Sequence, residues 1–169
     1  MRFPALLSRT DAISATALVV GAGLVSLCVA IPAQAATGST PAPAAASPTL
    51  ESKALTVAQH QVGKPFRAGA TGPDAFDASG LTFYAFKQAG RTLPHNALAQ
   101  YRAIRHLSLS QIKPGDLVFM ARSGSSKNSS QIDHVGVYAG SNAWYVARRP
   151  GTTVTHQTLW TRNLWVGRP

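Results

Sequence analysis

The stretch GKPFRAGATGPDAFDASGLTFYAFKQAG, residues 63–90, decides how the chain is interpreted. Its first half is rich in glycine and proline and predicts a loop. A helix is expected to begin near Ala78, because apolar residues then recur at helical spacing until Gly90 ends the pattern. Exposed N–H groups at such a helix start stabilise negative charge and lower the pKa of a cysteine. Position 78 holds alanine, whose methyl group cannot act as a nucleophile.

Helical and strand-like patterns occupy different parts of the chain. Residues 51–61 and 96–104 have helical patterns, whereas the periodicity changes after the turn at residues 114–116. Short apolar runs, rich in β-branched and aromatic residues, follow that turn. These runs are Leu117–Ala121, His134–Ala139, Trp144–Ala147, Val154–Gln157 and Leu164–Val166. Helices followed by such runs predict an α+β fold, in which N-terminal helices pack on an antiparallel meander of about five to six strands.

The first 35 residues have the pattern of a secretory signal peptide. Arg2 and Arg9 precede an almost wholly apolar run over residues 12–31, and Ala33–Ala35 forms an A-x-A cleavage site. We expect cleavage after residue 35; a membrane anchor is the alternative for an apolar run of this length. The one cysteine, Cys28, lies within the run, so the mature chain would have neither a disulfide nor a thiol nucleophile.

The composition of residues 36–169 distinguishes a linker from a folded domain and gives the charge of the mature chain. Residues 36–49 are expected to form a flexible linker, because residues 36–48 have no charge and no large side chain, and one domain is expected over 50–169. Without Arg2, Arg9 and Asp11, fourteen basic residues face five acidic ones, a net charge of +9. A secreted protein of this charge is attracted to anionic polymers, although the charge could instead serve only solubility.

The charge pattern also limits the partners that we expect. Basic and aromatic residues do not alternate in the way that favours nucleic-acid binding, so no nucleic acid is expected. After signal cleavage no membrane attachment is expected either, which places the protein in the cell envelope or outside the cell. The five histidines are scattered without paired-ligand spacing, so we expect no metal and no cofactor.

From about residue 55 to the C-terminus, the chain closely resembles the NlpC-type peptidases. These are papain-like Cys-His enzymes that cleave peptide bonds in peptidoglycan stems. Six segments carry the resemblance in the family's order, namely GKPF, GATGPDAFDASG, LPHNALAQY, PGDLVF, DHVGVYAG and the terminal GRP. The GPDAFD segment and the secreted single-domain layout are most similar to the Rip group of mycobacteria and relatives, and the missing nucleophile to a non-catalytic member of that group.

The resemblance assigns the family's active-site positions to residues of this chain. The cysteine falls on Ala78 and the general-base histidine falls on His134. The residue that orients the histidine falls on Val146, the family's tyrosine on Phe66 and the tryptophan two positions later on Ala68. Only His134 keeps its functional group, so the resemblance implies an inactive homologue of a cysteine peptidase.

The resemblance also implies that a binding cleft is retained. Asp77 and Ser79 flank the nucleophile position and are expected to contact the amino end of a stem peptide, with His134 at the cleft floor. Asp77 has the alternative role of capping the helix, and the two roles are compatible. Arg148 is expected to face either an acidic stem residue or solvent.

Taken together, these features predict a non-catalytic peptidoglycan-binding protein that modulates active wall hydrolases. Its ligand would be the stem peptide or an anionic wall polymer. The alternative function is residual peptidoglycan hydrolysis by Ser79 or by a water that His134 activates. A third alternative is a partner-binding protein whose cleft is unused.

Overall fold

The computed structural model describes residues 47–121, 124 and 127–169. The signal-peptide prediction for residues 1–35, and the linker prediction for 36–49 apart from its last three residues, therefore lie outside the described residues. Among the described residues, no helix combines the length and the apolar character that a bilayer crossing requires.

Within residues 47–169, as far as they are described, three α-helices come first, as the sequence predicted. They are α1 (Leu50–His60), α2 (Ala78–Ala89) and α3 (Ala97–Arg102). Each begins after a polar side chain that accepts a hydrogen bond from the backbone N–H three residues further on. These capping residues are Thr49, Asp77 and Asn96. Helix α2 ends at Gly90, whose φ of 109° is accessible to glycine without a steric penalty.

Six strands form one antiparallel sheet, in agreement with the predicted α+β fold. They are β1 (Arg105–Leu107), β2 (Leu117–Met120), β3 (His134–Gly140), β4 (Ala143–Ala147), β5 (Val154–Thr158) and β6 (Trp165–Arg168). Their order across the sheet is β1-β6-β2-β3-β4-β5. The predicted meander is therefore confirmed for β2 to β5 and wrong for β6, which pairs with β2 and β1 instead of β5.

A buried ion pair connects β6 to the residue directly before β2. Asp116, directly before β2, is fully buried, and Arg168 donates to its two carboxylate oxygens from Nε and Nη2 at 2.7 Å each. The N–H of Lys113 donates to the same carboxylate at 2.7 Å. The hydrogen bond to Asp116 raises the pKa of Arg168 above its usual value. The PGDLVF and GRP segments of the sequence thus meet in one contact.

The two faces of the sheet bury different sets of side chains, because successive residues of a strand point in opposite directions. The helix-facing set packs against α1 and α2 and contains Leu117, Phe119, Val135 and Val137. The set on the other face contains Val118, Met120, Trp144, Val146 and Val166. A third cluster, formed by Phe76, Leu81, Ala147 and Val154, packs the first turn of α2 against β4 and β5. The start of α2 is therefore held directly against the sheet.

Candidate functional site

A cavity of about 130 Å³ lies at the N-terminus of α2; we call it the α2 cavity. Its lining residues are Phe66, Ala68, Asp77, Ala78, Ser79 and Asp133. The structure thus brings together five positions that the sequence analysis had selected from residues 63–90. Asp133 was not selected, although its place directly before His134 in the DHVGVYAG segment was an available signal.

The loop before α2 is fixed by backbone hydrogen bonds. Phe66 N–H donates to the carbonyl of Thr152 at 2.8 Å, and Arg67 N–H donates to the carbonyl of Phe76 at 3.0 Å. The half-buried ring of Phe66 packs against the cluster that contains Phe76 and Leu81. Phe66 therefore contributes an apolar wall to the α2 cavity and has no polar group to offer there.

The carboxylate of Asp77 connects the parts of the cavity rim. Its Oδ1 accepts from the N–H of Gly80 at 2.6 Å and from the hydroxyl of Ser79 at 3.1 Å. Its Oδ2 accepts from the N–H of Gly69 at 2.8 Å, and Nε2 of His95 lies 3.0 Å from both oxygens. The helix-capping role of Asp77 is confirmed. A carboxylate has about four acceptor sites, so these four contacts use most of its capacity.

The side chain of Gln100, on α3, forms hydrogen bonds to two segments beside the α2 cavity. Its side chain is fully buried, and its Oε1 accepts from the hydroxyl of Thr82 at 2.8 Å. Its Nε2 donates to the carbonyls of Ser79 at 3.0 Å and Pro94 at 2.7 Å. Gln100 therefore ties the residue before His95 to the first turn of α2. The sequence analysis assigned no role to His95 or Gln100, although both lie in the LPHNALAQY segment.

His134 is the first residue of β3 and is fully buried. Its ring meets Trp144 edge-on, with 5.6 Å between ring centroids, and lies 6.1 Å from the ring of Trp160. It does not line the α2 cavity, whereas the preceding residue Asp133 does. The histidine therefore lies among aromatic rings rather than on the cavity surface.

Val146 is fully buried on the same face of the sheet as His134. That face is shared because His134 pairs with Met120, and Met120 packs in one cluster with Trp144 and Val146. An isopropyl group has no atom that accepts a hydrogen bond from an imidazole. Val146 therefore packs on the same face of the sheet as His134, but its side chain cannot orient the imidazole ring by a hydrogen bond.

Arg148 contacts a partner that the sequence analysis did not name. Its guanidinium carbon lies 4.1 Å from the ring centroid of Trp160, a cation–π geometry. The ring of Trp160 in turn lies 5.2 Å from that of Trp144, and Trp160 is 36 % exposed. The ring of Trp160 thus contacts the partly buried Arg148 as well as the fully buried His134. An isolated tryptophan in a loop gave no sequence signal for this arrangement.

The polar groups around the α2 cavity have a defined order. Asp77 lies between Ser79 and His95, because both side chains contact its carboxylate. In a Ser-His-Asp triad the histidine occupies the central place and removes the serine proton. The hydroxyl of Ser79 instead donates to a carboxylate that already accepts three other contacts.

Three N-terminal helices, one antiparallel sheet and a cavity at the start of the second helix define an NlpC-type α+β domain. Residues 63–167, more than half of the chain, match the model of the NlpC/P60 family. The chain belongs to that family, which confirms the resemblance to the NlpC-type family.

Relatives with assigned names include endopeptidases. The probable endopeptidase p60 of Listeria monocytogenes is 41 % identical over 97 residues, which cover 57 % of this chain and 19 % of p60. A probable endopeptidase of Corynebacterium glutamicum is 34 % identical over 128 residues, which cover 75 % of this chain and 57 % of that relative. The chain therefore spans less than two thirds of the length of each of these relatives.

Solved structures of the same fold include two from Mycobacterium tuberculosis. The peptidoglycan hydrolase RipB superposes with a TM-score of 0.60 at 27 % identity, over 70 % of this chain and 64 % of RipB. RipD, a non-catalytic NlpC/p60 domain protein with a peptidoglycan-binding function, gives 0.60 at 24 % identity, over 71 % and 97 % of the two chains. At 24 % identity the likeness to RipD establishes the fold alone.

Proposed function

We propose that this protein binds peptidoglycan through the α2 cavity and does not cleave it. The observation that carries the proposal is the methyl group of Ala78, which lines the cavity at the start of α2. A nucleophile at this position would benefit from the exposed N–H groups of the first turn. A methyl group forms no acyl intermediate, so the cavity keeps a binding surface without that chemistry.

The surroundings of His134 support the same proposal. A general base must come within hydrogen-bond reach of the proton that it removes, either directly or through one water molecule. His134 has no exposed surface, and the rings of Trp144 and Trp160 pack against it. Activation of a water by His134 would require the fully buried surroundings of the ring to open.

Ser79 is the residue that favours the alternative of a residual hydrolase, because it lines the α2 cavity. Its hydroxyl donates to Asp77, and Asp77 separates it from His95. A serine becomes nucleophilic when an adjacent base takes its proton, and in the serine triads that base is a histidine. We therefore favour binding over hydrolysis.

The charge of the α2 cavity supports a ligand with a cationic group, such as the amino end of a stem peptide. Asp77 and Asp133 bring two carboxylates to the lining of this cavity, although the whole chain has a formal charge of +10. A charge-assisted hydrogen bond to an ammonium contributes about 1.5–3 kcal/mol.

We also propose that the protein is secreted and that its binding restrains active wall hydrolases. Relatives named as endopeptidases and a fold shared with RipB support this role. A protein that occupies a stem peptide without cutting it would withhold that peptide from an enzyme of the same family. The stem peptide would then be the shared ligand.

The test is co-sedimentation of the purified protein with insoluble peptidoglycan over rising salt, with the supernatant analysed for released fragments. Protein in the pellet without fragments supports the proposal. Absence from the pellet at every salt concentration overturns it. Fragments that disappear in the Ser79→Ala variant would establish the hydrolase instead.

A matched pair of variants locates the binding surface. Ala68→Lys adds a cation to the lining of the α2 cavity, where it would compete with a ligand ammonium. Ala103→Lys adds the same charge at an exposed position at the end of α3 that does not line this cavity. We expect Ala68→Lys to reduce sedimentation and Ala103→Lys to leave it unchanged; equal behaviour of the two would exclude the α2 cavity as the binding surface.

A further inference from the structure

A second cavity of about 180 Å³ has a chemical character opposite to that of the α2 cavity; we call it the cationic cavity. Its lining residues are Lys127, Arg162, Asn163, Leu164 and Trp165. None of them lines the α2 cavity, and no acidic side chain is among them. Two basic side chains from separate segments of the chain therefore meet at one depression.

The two cations of this cavity are not neutralised within the described part of the protein. Lys127 and Arg162 are exposed, and neither forms an ion pair with a carboxylate of the described residues. Two positive charges at one depression repel each other, and an anion bound between them adds two attractions that offset this repulsion. The cavity therefore favours an anionic ligand.

Side-chain hydrogen bonds link the two segments that supply these cations. The hydroxyl of Thr161 donates to the carbonyl of Gly124 at 2.7 Å, and Nδ2 of Asn163 donates to the same oxygen at 3.2 Å. Gly124 precedes Lys127 by three positions, while Thr161 and Asn163 flank Arg162. This link holds Gly124 against the segment that carries Arg162, and a contact that exists before a ligand arrives lowers the entropic cost of binding.

Trp165 supplies the rigid wall of the cationic cavity. It is the first residue of β6, pairs with Phe119 of β2 and packs against the helix-facing core. A lining residue anchored in a central region of the sheet keeps its position when the exposed cations change rotamer. The cationic cavity is thus part of the folded domain and more than a chance approach of two surface side chains.

We propose that the cationic cavity binds a phosphate group of an anionic polymer at the cell surface. The two non-bridging oxygens of a phosphodiester share one negative charge, and they can accept hydrogen bonds from both a guanidinium fork and an ammonium. The formal charge of +10 on the chain adds a long-range attraction to such a polymer. This proposal does not depend on the function assigned to the α2 cavity.

The first test is a titration of the purified protein with inorganic phosphate, followed by backbone amide NMR at constant ionic strength. We expect saturable shifts at residues 162–165 and at Lys127. The double variant Lys127→Gln/Arg162→Gln should weaken phosphate binding about tenfold or more, a loss of about 1.4 kcal/mol. The control Lys53→Gln/Arg91→Gln removes the same charge at exposed positions outside the cavity and should change the affinity by less than about twofold.

Two results of this titration overturn the proposal. One is an absence of saturable shifts at these residues, and the other is an equal loss of affinity in the two double variants. All four substituted side chains are exposed, so both double variants should fold. Their thermal unfolding midpoints test this expectation.

The second test distinguishes a polymer from free phosphate. Cell walls with their phosphodiester-linked polymers are compared with walls from which hydrofluoric acid has removed those polymers. We expect the unmodified protein to sediment more strongly with the untreated walls, and Lys127→Gln/Arg162→Gln to lose that difference. Equal sedimentation of the unmodified protein with both walls would overturn the polymer assignment, as would stronger binding to a short oligonucleotide than to the wall polymer.

The same comparison separates this proposal from the function proposed above. Sedimentation with the treated walls depends on the α2 cavity alone, so Ala68→Lys should reduce it and Lys127→Gln/Arg162→Gln should not. Failure of one proposal therefore leaves a distinct pattern from failure of the other.

Discussion

The carboxylate of Asp77 lies between the hydroxyl of Ser79, 3.1 Å away, and Nε2 of His95, 3.0 Å away. The same carboxylate caps helix α2 through Gly80. In this order of groups, the neighbour of Ser79 is a carboxylate that supports the structure. A serine hydrolase would need a proton-accepting histidine in that place. This order determines which substitutions should affect stability and which should affect chemistry.

Replacement of Ala78 by cysteine alone should give little or no peptidoglycan hydrolysis. The thiol would stand at the start of α2, but Val146 offers no acceptor to orient His134, and the histidine is buried against two tryptophan rings. Fragment release from peptidoglycan measures activity, and alkylation by iodoacetamide over a pH series confirms that the thiol is present and reactive. Strong endopeptidase activity of Ala78→Cys would show that Val146 and Phe66 matter less than proposed.

Substitution of Asp77 should lower stability in graded steps. Asp77→Ala removes the cap and the links to Gly69 and His95, and we expect a loss of about 1–3 kcal/mol in the free energy of unfolding. Asp77→Asn keeps one acceptor oxygen for the cap and should lose less. Urea denaturation followed by circular dichroism measures both. Equal losses for the two variants would mean that the charge, and not the cap, provides the stabilisation.

Removal of Arg168 should be among the more damaging single changes. Arg168→Ala leaves the fully buried Asp116 carboxylate without its two guanidinium hydrogen bonds, at a cost of about 3–5 kcal/mol. Arg168→Lys keeps the charge but not the planar fork, so its loss should be intermediate. Urea unfolding midpoints rank the variants. Arg105→Ala is the control, because Arg105 lies on the neighbouring strand β1, is exposed and forms no ion pair with the described residues.

Truncation of Trp160 should expose His134. Trp160 is packed between Arg148 and the pair formed by His134 and Trp144, so Trp160→Ala removes one of the rings that shield the histidine. Modification by diethyl pyrocarbonate, mapped by mass spectrometry, should become faster at His134. Exposed His106 serves as the internal control and should react at the same rate in both proteins. An unchanged rate at His134 would show that Trp144 and the sheet alone bury it.

The helices were predictable because their signals are local. Apolar residues at helical spacing located the helices, Asp77 was expected to cap α2, and Gly90 marked its end. The position of β6 was not predictable in this way. It involves pairing with β2 and an ion pair between Asp116 and Arg168, which are 52 positions apart, and periodicity within a strand has no information about such contacts.

The residues of the candidate site also differ in whether the sequence alone could identify them. The cavity residues between Phe66 and Ser79 lie in one continuous stretch, and a resemblance carried by that stretch found them together. Strand β1 has only three residues, two of them exposed, and gave no strand pattern. His95 and Gln100 act through side-chain hydrogen bonds to other elements, which become visible only when α3 is placed beside α2.

The hydrogen bonds that Asp77 forms at the start of α2 have a consequence for how this domain can evolve. The first turn of α2 is held by the side chain of Asp77, which accepts from Gly80, and by Gln100, which donates to the carbonyl of Ser79. The methyl side chain of Ala78 has no share in these hydrogen bonds. A substitution at position 78 can therefore remove a nucleophile while the rim around it keeps its shape. Reactivity and architecture reside on adjacent residues, and selection can discard the first while it preserves the second.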